Sequence, residues 1–397
     1  MIPWDTTSLT PSPAPGAAPS PRFLAALRDL AEELPHHHYT DKAVAALLGA
    51  ADGTDLLRNS ALYALWSRDR VTELAGEPAG LLTQLFFRNG EVPAAAWSRR
   101  LSARLRTALD TLGLVEEHPG APGAGGGPVL TARAALSPYE DGYYLSDPLF
   151  ACRAVSHGYP AMAGYTAEGL DPVMPPHAST LRLAAHRGEH GGRLLDVGTG
   201  SGVLALDRAH RYEAVAGVDI DPRAVGYARL NARLAHVEAA FEVADFREGL
   251  DAFGPVDHLV FNAPGRAPLK GDGNADTAHP LSAEKLLQDI ARRLPGVLAR
   301  PGGVAEALVI VAVPGRHPDA AATVDEWLAG TESTARLTVT EVRDQALSIP
   351  AQAIEKLRIQ PGCLLANGRE DAESLIAALK AAGIREVTPA IVTVVRD

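Results

Sequence analysis

The sequence predicts an α/β fold, a doubly wound Rossmann-like sheet that follows a helical N-terminal domain. After residue 190, short apolar runs alternate with segments of helical spacing, which is the pattern of βαβ units. One of these runs, 194–197, leads into a glycine-rich turn and then into a helix predicted at 203–210. Before residue 117, in contrast, apolar residues recur at helical spacing, as in 22–34. A strand, a glycine turn and a helix together form the nucleotide-binding corner of many α/β proteins.

The spacing of the glycines in this turn distinguishes between classes of nucleotide-binding protein. Its three glycines occupy alternate positions after Asp196. This differs from the dinucleotide pattern G-x-G-x-x-G, and no Gly-Lys-Ser/Thr follows as in a P-loop. A carboxylate before the glycines repels a pyrophosphate but suits a cation. The turn resembles motif I of the class I S-adenosylmethionine (SAM) dependent methyltransferases. The resemblance implies a cofactor site that contains Asp196, Gly198, Thr199, Gly200 and Gly202, mostly around the methionine end.

A second strand, predicted at Ala214–Asp219, also ends in an acid. Asp219 follows Asp196 by 23 residues, a separation at which an acidic strand end can bind both ribose hydroxyls. The segment Val-Asp-Ile-Asp-Pro resembles the corresponding methyltransferase segment, so we expect Asp219 and Ile220 to contact the cofactor. Asp221 and Pro222 have the residue types of a helix N-cap and first helical position.

The third strand, predicted at 241–246, ends in Asp245 and Phe246. The resemblance implies that Asp245 accepts a hydrogen bond from the adenine amino group and that Phe246 packs on the ring. The alternative is that Asp245 caps the following turn and that Phe246 belongs to the core.

The fourth strand, predicted at 256–261, continues into Asn-Ala-Pro-Gly. This resembles the N-P-P-Y motif of methyltransferases that act on planar nitrogens. The resemblance implies that Asn262 orients the acceptor nitrogen, which is catalysis by positioning. Ala263 and Gly265 depart from that motif, and the loss of the aromatic residue weakens the case for a nucleobase. The alternative is an ordinary turn after a strand.

The loop after this motif, 265–280, is rich in glycine and proline and is the predicted substrate loop. Arg266 and Lys270 are its cations. Arg266 is the candidate to hold a carboxylate, sulfate or phosphate of the acceptor. A solvated loop charge is an equally good interpretation.

The predicted domains are a disordered arm at 1–20, a helical unit at 21–135, a connecting segment at 136–190 and the SAM-binding domain at 191–397. Helices are predicted at 22–34, Asp41–Leu48, 60–66, 77–87 and 94–112, and strands at 129–134 and 141–146. The helical unit resembles a winged helix with its wing tip at 119–128. The Pro-containing segment before the glycine turn resembles one that covers the methionine end of SAM, which makes Thr180 and His177 candidate pocket residues.

The rest of the chain continues the α/β pattern. A helix is predicted at 282–294, capped by Ser282 and ended by Pro295. The remaining predicted elements are a strand at 307–313, a helix at 319–328 and strands at 337–342 and 388–395. In the family that the chain resembles, the seventh strand is antiparallel. The interval 343–386 is a long insertion with a helix predicted at 372–382.

The composition excludes several classes of protein. The formal net charge of −11 opposes non-specific nucleic-acid binding, and no apolar run is long enough to span a membrane. Two distant cysteines, Cys152 and Cys363, indicate a reducing cytoplasm and have no metal-ligand spacing. The triplet at residues 36–38 is a histidine run that we expect in a solvated loop, so no metal site is predicted. The sequence leaves open whether the protein forms a homodimer or requires a partner subunit.

From these features we expect a cytoplasmic biosynthetic enzyme that transfers a methyl group from SAM to a nitrogen, or less readily an oxygen, of a small, anionic metabolite. Three alternatives stay open. The first is an rRNA or protein N-methyltransferase. The second is an enzyme that uses SAM electrostatically in cyclisation or elimination. The third is a regulator that senses SAM and binds DNA through its winged helix.

Overall fold

The computed structural model describes the chain in two compact units. The described residues are 20–60, 63–64, 76–119, 127–148, 173–186, 191–264, 283–298, 302–329, 331, 336–341, 347–348 and 368–396. Unit 1 comprises Met1–Leu181, Gly200–Val203 and Pro222–Glu238. Unit 2 comprises Arg182–Thr199, Leu204–Asp221 and Ala239–Asp397. The predicted disordered arm lies outside the described residues except for Ser20, whose hydroxyl accepts from the Phe23 N–H at the start of the first helix.

The helices and strands are numbered in chain order. The helices are α1 Pro21–His36, α2 Asp41–Leu48, α3 Gly53–Arg58, α4 Pro78–Leu82, α5 Ala94–Arg100, α6 Ala103–Leu112, α7 Ala178–Ala185, α8 Val203–Arg208, α9 Pro222–Leu234, α10 Phe246–Gly249, α11 Ala283–Val297, α12 Ala320–Leu328 and α13 Gly368–Ala381. The strands are β1 Val92–Pro93, β2 Val115–His118, β3 Val129–Ala132, β4 Ala135–Tyr139, β5 Gly142–Ser146, β6 Arg193–Val197, β7 Ala214–Asp219, β8 Ala240–Val243, β9 His258–Asn262, β10 Val304–Pro314, β11 Arg336–Glu341, β12 Leu347–Ser348 and β13 Ile384–Val395. A π-helix, Thr83–Phe87, extends α4, and 3-10 turns follow α8 at Ala209–Arg211 and α10 at Leu250–Phe253.

Unit 1 is built mainly from amphipathic helices. Helices α1 and α6 bury Leu27, Leu30, Leu105 and Leu109 in one apolar core. The prediction of a single helix at 94–112 is wrong, because residues 101 and 102 are not helical and separate α5 from α6. The Ser102 hydroxyl accepts from the Leu105 N–H at 3.0 Å, which starts a new helix where the periodicity alone suggests continuation. The helix predicted at 60–66 falls largely outside the described residues.

The strands of unit 1 form two small antiparallel sheets. One has the order β1-β3-β2, and the other is the hairpin β4-β5. The strand predicted at 129–134 ends at Ala132. The sequence analysis missed β4 because only two residues, Arg133 and Ala134, separate it from β3. The wing predicted at 119–128 joins β2 to β3, although 120–126 lies outside the described residues. The winged-helix interpretation stays a prediction.

Buried hydrogen bonds and an ion pair connect helix α9 to the β4-β5 hairpin and to Asp147, which follows it. The Asn231 carboxamide bonds both backbone groups of Leu145, at 2.8 and 2.9 Å. Arg223 forms an ion pair with Asp147 at 2.8 Å, and the Tyr227 hydroxyl donates to the same carboxylate at 3.0 Å. These donors supply hydrogen-bond partners to the buried carboxylate of Asp147 within unit 1.

Unit 2 is an open sheet with the strand order β11-β13-β10-β9-β6-β7-β8, and β12 pairs with β13. Strands β6 to β10 are parallel, whereas β13 is antiparallel to both β10 and β11. Chain order runs outward from β6 to β8 in one direction and from β9 in the other. This confirms the predicted doubly wound α/β sheet and its antiparallel last strand.

Two predicted boundaries in unit 2 are wrong for local reasons. Helix α11 continues past Pro295 to Val297, and the Leu298 N–H still bonds the Leu294 carbonyl at 2.9 Å. A proline in the last turn costs one backbone bond without ending the helix. The third strand ends at Val243 rather than at residue 246, because Asp245 caps helix α10. The capping residue Ser282 lies outside the described residues.

Candidate active site

The strand order reverses between β6 and β9, and this is where open α/β sheets bind ligands. The two strands are parallel neighbours, with Val197 opposite Phe261. Both therefore end at the same edge of the sheet. β6 leads into the glycine turn after Asp196, and β9 ends in Asn262. The predicted cofactor motif and the predicted acceptor-orienting residue thus follow adjacent strands.

The glycine turn has a backbone that only glycine adopts without strain. Gly198, Gly200 and Gly202 have φ values of +63°, +55° and +82°. A Cβ atom at Gly200 would meet nothing within 4 Å, so the space beside it is open. The Thr199 N–H donates to the Val218 carbonyl at 3.0 Å and fixes the turn to the end of β7.

Asp196 is a buried carboxylate with incomplete hydrogen bonding. It is 1% exposed, and its Oδ2 accepts from the Thr199 hydroxyl at 2.8 Å. Its Oδ1 has no hydrogen-bond partner among the residues that the structure describes. Burial raises the pKa of Asp196 to about 7, against the opposing effect of the bonds from Thr199 and the Ala205 backbone. A buried, uncompensated carboxylate oxygen suits the ammonium group of a ligand such as SAM.

Asp219 and Ile220 lie at the end of β7, next to β8. The Asp219 Oδ1 accepts from the Asp221 N–H at 2.9 Å, which orders the start of α9. Ile220 is 61% exposed, unusual for a large apolar side chain. A carboxylate beside an exposed apolar residue has the chemistry that a ribose and an adenine ring require. Their roles stay predictions.

Asp245 lies where the sequence predicts it, but its carboxylate has local partners. It caps α10 by accepting from the Arg247 N–H at 2.9 Å. The Arg247 guanidinium also forms a two-pronged ion pair with it, at 2.9 and 2.6 Å. The Arg247 hydrogen bond lowers the pKa of Asp245. The capping alternative is therefore present, and the adenine contact stays a prediction. The Phe246 ring lies 5.5 Å from that of Phe261.

Asn262 is half-buried at the end of β9. The next residue, Ala263, is held by a bond from its N–H to the Leu308 carbonyl at 3.0 Å. This pairing with β10 fixes the backbone from which Asn262 projects. Gly265, Arg266 and the predicted substrate loop lie outside the described residues.

Thr180 and His177 belong to unit 1. Thr180 is 5% exposed, and its hydroxyl lies 3.1 Å from His177 Nδ1. The other ring nitrogen lies 3.0 Å from the Ser179 hydroxyl. The pocket role of Thr180 and His177 stays a prediction.

A buried polar cluster in unit 2 was missed by the sequence analysis. Glu306 is 2% exposed and lies 3.0 Å from His258 Nε2, 3.2 Å from Arg208 Nη1 and 3.3 Å from His186 Nε2. The Tyr212 hydroxyl bonds the other nitrogen of His258. The available signal was one acid, Glu306, inside the apolar run of β10. Within this cluster, the positive charge of Arg208 compensates the negative charge of Glu306.

Among the described residues, no group of three or more His, Cys, Asp or Glu side chains could hold a metal ion. Within the same part of the chain, no helix combines the length and apolar character needed to span a bilayer.

Part of the chain is similar to known methyltransferases. Residues 178–263 match the family model "Ribosomal protein L11 methyltransferase (PrmA)". Ribosomal protein L11 methyltransferase of Thermus thermophilus is 40% identical over 90 residues, covering 22% of this chain and 35% of that protein. The same enzyme of Deinococcus radiodurans is 42% identical over 113 residues, covering 25% and 41%. Release factor glutamine methyltransferase of Rhodospirillum rubrum is 43% identical over 105 residues, covering 25% and 31%.

The chain thus spans between 31% and 41% of the length of these relatives. The family match covers the glycine turn, the acidic end of β7 and Asn262, which the fold places at one edge of the sheet. The part of the chain that carries these residues is therefore similar to the class I S-adenosylmethionine-dependent methyltransferases.

Proposed function

We propose that the protein transfers a methyl group from SAM to a nitrogen of a protein substrate. The observation that carries the proposal is the position of Asn262, at the end of the strand beside the one that carries Asp196. Bound SAM supplies an electrophilic methyl group on its sulfonium. A residue that holds an acceptor nitrogen at this edge therefore performs the positioning that methyl transfer requires.

We assign separate roles to the cofactor-binding and acceptor-binding residues. Asp196 offers its unpartnered oxygen to the ammonium of the methionine moiety, and the glycine turn lets backbone approach the ligand. Asp219 holds the ribose hydroxyls, and Ile220 and Phe246 provide apolar contact for the adenine. Asn262 and the Ala263 carbonyl accept hydrogen bonds from the acceptor NH₂, so that the nitrogen lone pair points at the methyl group.

The relatives favour a protein acceptor over the small metabolite that the sequence analysis expected. Their names specify ribosomal protein L11 and the glutamine of a release factor. The net charge of −11 opposes the rRNA alternative, because RNA binding depends on cations that neutralise phosphates. A protein carrying an accessible amine or carboxamide is therefore the proposed substrate class.

The test is incubation of the pure protein with SAM that carries a labelled methyl group and with extract from its own source cells. We expect the label in protein. Label in small molecules would restore the metabolite alternative, and label in RNA would favour the rRNA alternative. Binding of SAM without label in any fraction would point to non-methylating chemistry.

The role of Asn262 needs its own variant. We expect Asn262→Ala to leave the SAM dissociation constant within about twofold and to slow methyl transfer by about 100-fold, the scale of a lost orienting interaction. The control is Glu242→Gln, an exposed position in β8, which should keep full activity. Full activity of Asn262→Ala would remove the orienting role while leaving the cofactor site intact.

A further inference from the structure

A buried asparagine in unit 1 connects the glycine turn to the β4-β5 hairpin. Asn231 lies on α9 and is fully buried. Its Nδ2 donates to the Ser201 carbonyl at 2.8 Å and to the Leu145 carbonyl at 2.9 Å, and its Oδ1 accepts from the Leu145 N–H at 2.8 Å. Two carbonyls around the nitrogen and one N–H at the oxygen use both donors of the carboxamide and fix its orientation. The hairpin, α9 and the turn therefore share one side chain.

Ser201 depends on such a contact because of its two neighbours. Gly200 and Gly202 have φ values of +55° and +82°, and glycine adopts positive and negative φ about equally readily. The peptide groups on both sides of Ser201 can therefore rotate at little steric cost. Because a peptide group is planar, a bond that holds the Ser201 carbonyl also fixes the direction of the Gly202 N–H. Asn231 thus restrains a part of the turn that the local sequence does not restrain.

The Ser201 hydroxyl makes a second contact within unit 1. It donates to the Met174 carbonyl at 2.7 Å. The residue before Met174 is bonded to Asp147 twice: the Asp147 N–H donates to the Val173 carbonyl at 3.0 Å, and the Val173 N–H donates to the Asp147 carboxylate at 2.8 Å. Two side chains of α9 donate to the same carboxylate. The contacts that leave α9 at Asn231 therefore return to α9 through Asp147, and Ser201 is a member of this closed ring.

We propose that Asn231 is a positioning residue for the cofactor, which holds the glycine turn in the conformation that binds SAM and couples that conformation to the β4-β5 hairpin. The proposal rests on the SAM site of the proposed function. Asn231 has no exposed surface, so it acts on SAM through Ser201 and not by contact. A turn that is already ordered loses less conformational entropy on binding, so the bond raises the affinity for SAM. By linkage, bound SAM must strengthen the same bond and the hold of Asn231 on Leu145.

The coupling can be measured in the unaltered full-length protein by amide hydrogen exchange. The pairs Tyr-Tyr and Tyr-Leu each occur once in the sequence, at 143–144 and 144–145. Protein made with ¹³C,¹⁵N-tyrosine and ¹⁵N-leucine therefore gives two carbonyl-to-amide correlations in nuclear magnetic resonance, from the N–H groups of Tyr144 and Leu145. The Leu145 N–H is the one that donates to Asn231. Tyr144 is the control, because its backbone pairs with Ser137 on β4.

We expect saturating SAM to slow exchange of the Leu145 N–H about 3- to 10-fold more than exchange of the Tyr144 N–H, the range that one buried hydrogen bond gives. Equal slowing of both amides would reflect general stabilisation by the ligand, and it would overturn the positioning role while leaving the SAM site intact. Absence of SAM binding to the unaltered protein would overturn the proposed function and this proposal together. The two failures are therefore distinguishable.

The matched variants are Asn231→Asp and Tyr227→Phe. Aspartate keeps the shape of the side chain and an acceptor for the Leu145 N–H, but it lacks the NH₂ group that donates to Ser201. Tyr227→Phe perturbs the same helix by removing a buried hydroxyl that donates to Asp147, which keeps its bond from Arg223 at 2.8 Å. Calorimetry should show SAM binding weakened about 3- to 10-fold in Asn231→Asp and within about twofold of the parent in Tyr227→Phe.

A second variant, Asn231→Ala, completes the series, because a buried aspartic acid in its protonated form still donates one bond. Alanine offers neither donor nor acceptor and should weaken SAM binding at least as much as aspartate does. Unchanged affinity in folded Asn231→Ala, or equal weakening in Asn231→Ala and Tyr227→Phe, would show that Asn231 is only a structural contact of α9 and would overturn the proposal. The exchange measurement requires no variant, so it decides the question even where both substitutions at Asn231 unfold the protein.

Discussion

Two buried carboxylates of unit 2, Asp196 and Glu306, lie in the same row of the sheet. Both pair with Val260, one from each side, so they are separated by two strand spacings, about 10 Å. They are 1% and 2% exposed. Depth and position in the sheet are therefore nearly the same, and only their partners differ.

Glu306 is compensated by the protein. Burial alone would raise its pKa, but the hydrogen bond from His258 and the charge of Arg208 outweigh this effect and lower the pKa. Asp196 has a hydroxyl and a backbone N–H as partners, keeps one oxygen unpartnered, and has a pKa raised to about 7. This difference is the basis for our proposal that Glu306 stabilises the fold, whereas Asp196 binds the cationic group of the cofactor.

The largest expected effect comes from Glu306→Gln. Removing this charge leaves buried Arg208 uncompensated, and breaking a buried ion pair costs about 3–5 kcal/mol. We expect a loss of that size in the free energy of unfolding, measured by urea denaturation. The folded fraction should bind SAM with unchanged affinity.

The control for that variant is Glu326→Gln, which removes an exposed carboxylate that pairs with Arg316. Little change is expected there, because solvent screens exposed pairs. If Glu306→Gln unfolds no more easily than Glu326→Gln, the contrast between the two buried carboxylates is wrong.

The next effect tests Asp196 directly. We expect Asp196→Asn to weaken SAM binding by about 10- to 100-fold, the value of a hydrogen bond to a charged group. Calorimetry at pH 7 measures this, with Glu242→Gln as the control. Unchanged affinity would show that Asp196 does not face the cofactor.

The same variant should gain stability without ligand. Because the folded-state pKa of Asp196 is raised, its protonated form is favoured in the fold, and that contribution is lost as pH rises from about 4 through about 7. Asp196→Asn should therefore be more stable than the parent at pH 8, by at most about 4 kcal/mol, and similar to it near pH 4. A variant that is less stable at pH 8 would contradict the raised pKa.

A smaller effect is the pH dependence of SAM binding. Below pH 7 Asp196 takes up a proton, so the ammonium of SAM loses its anionic partner. We expect the dissociation constant to rise several-fold between pH 7 and pH 6 and then to level off at the roughly 10- to 100-fold loss expected for Asp196→Asn. The Asp196→Asn variant should show a flat profile over this range, and a sloping one would assign the titration to another group.

The features that the sequence predicted well are local ones. The strands β6, β7 and β9 and the turn after Asp196 depend on apolar runs and on glycines that need positive φ, and both signals lie within a few residues. Predictions of where helices and strands begin or end were wrong where two local sequence signals compete. Ser102 starts a helix inside an unbroken helical period, and Asp245 caps a helix where the strand pattern continues.

The features that the sequence could not predict depend on distant residues. Glu306 meets Arg208 across 98 positions and His258 across 48, and no pattern within either segment specifies the pairing. Sequence alone locates the acid Asp196, but only the fold shows that its charge is uncompensated.

Asp245 combines features of Glu306 and Asp196, because it has an ion-pair partner within the protein and is also a proposed cofactor contact. We expect variants at this position to have the smallest effect on SAM binding. It is partly exposed and already bonded by Arg247, so its lone pairs are shared between the ion pair and any adenine amino group. We expect Arg247→Ala to strengthen SAM binding about two- to fivefold by removing the competing donor, while the helix cap from the backbone N–H remains. Calorimetry against the control Arg292→Ala, another exposed arginine in an ion pair, measures this. Weaker SAM binding in Arg247→Ala would instead mean that the ion pair holds Asp245 in the orientation that adenine requires. Arg247 would then position Asp245 for the cofactor and not compete with it.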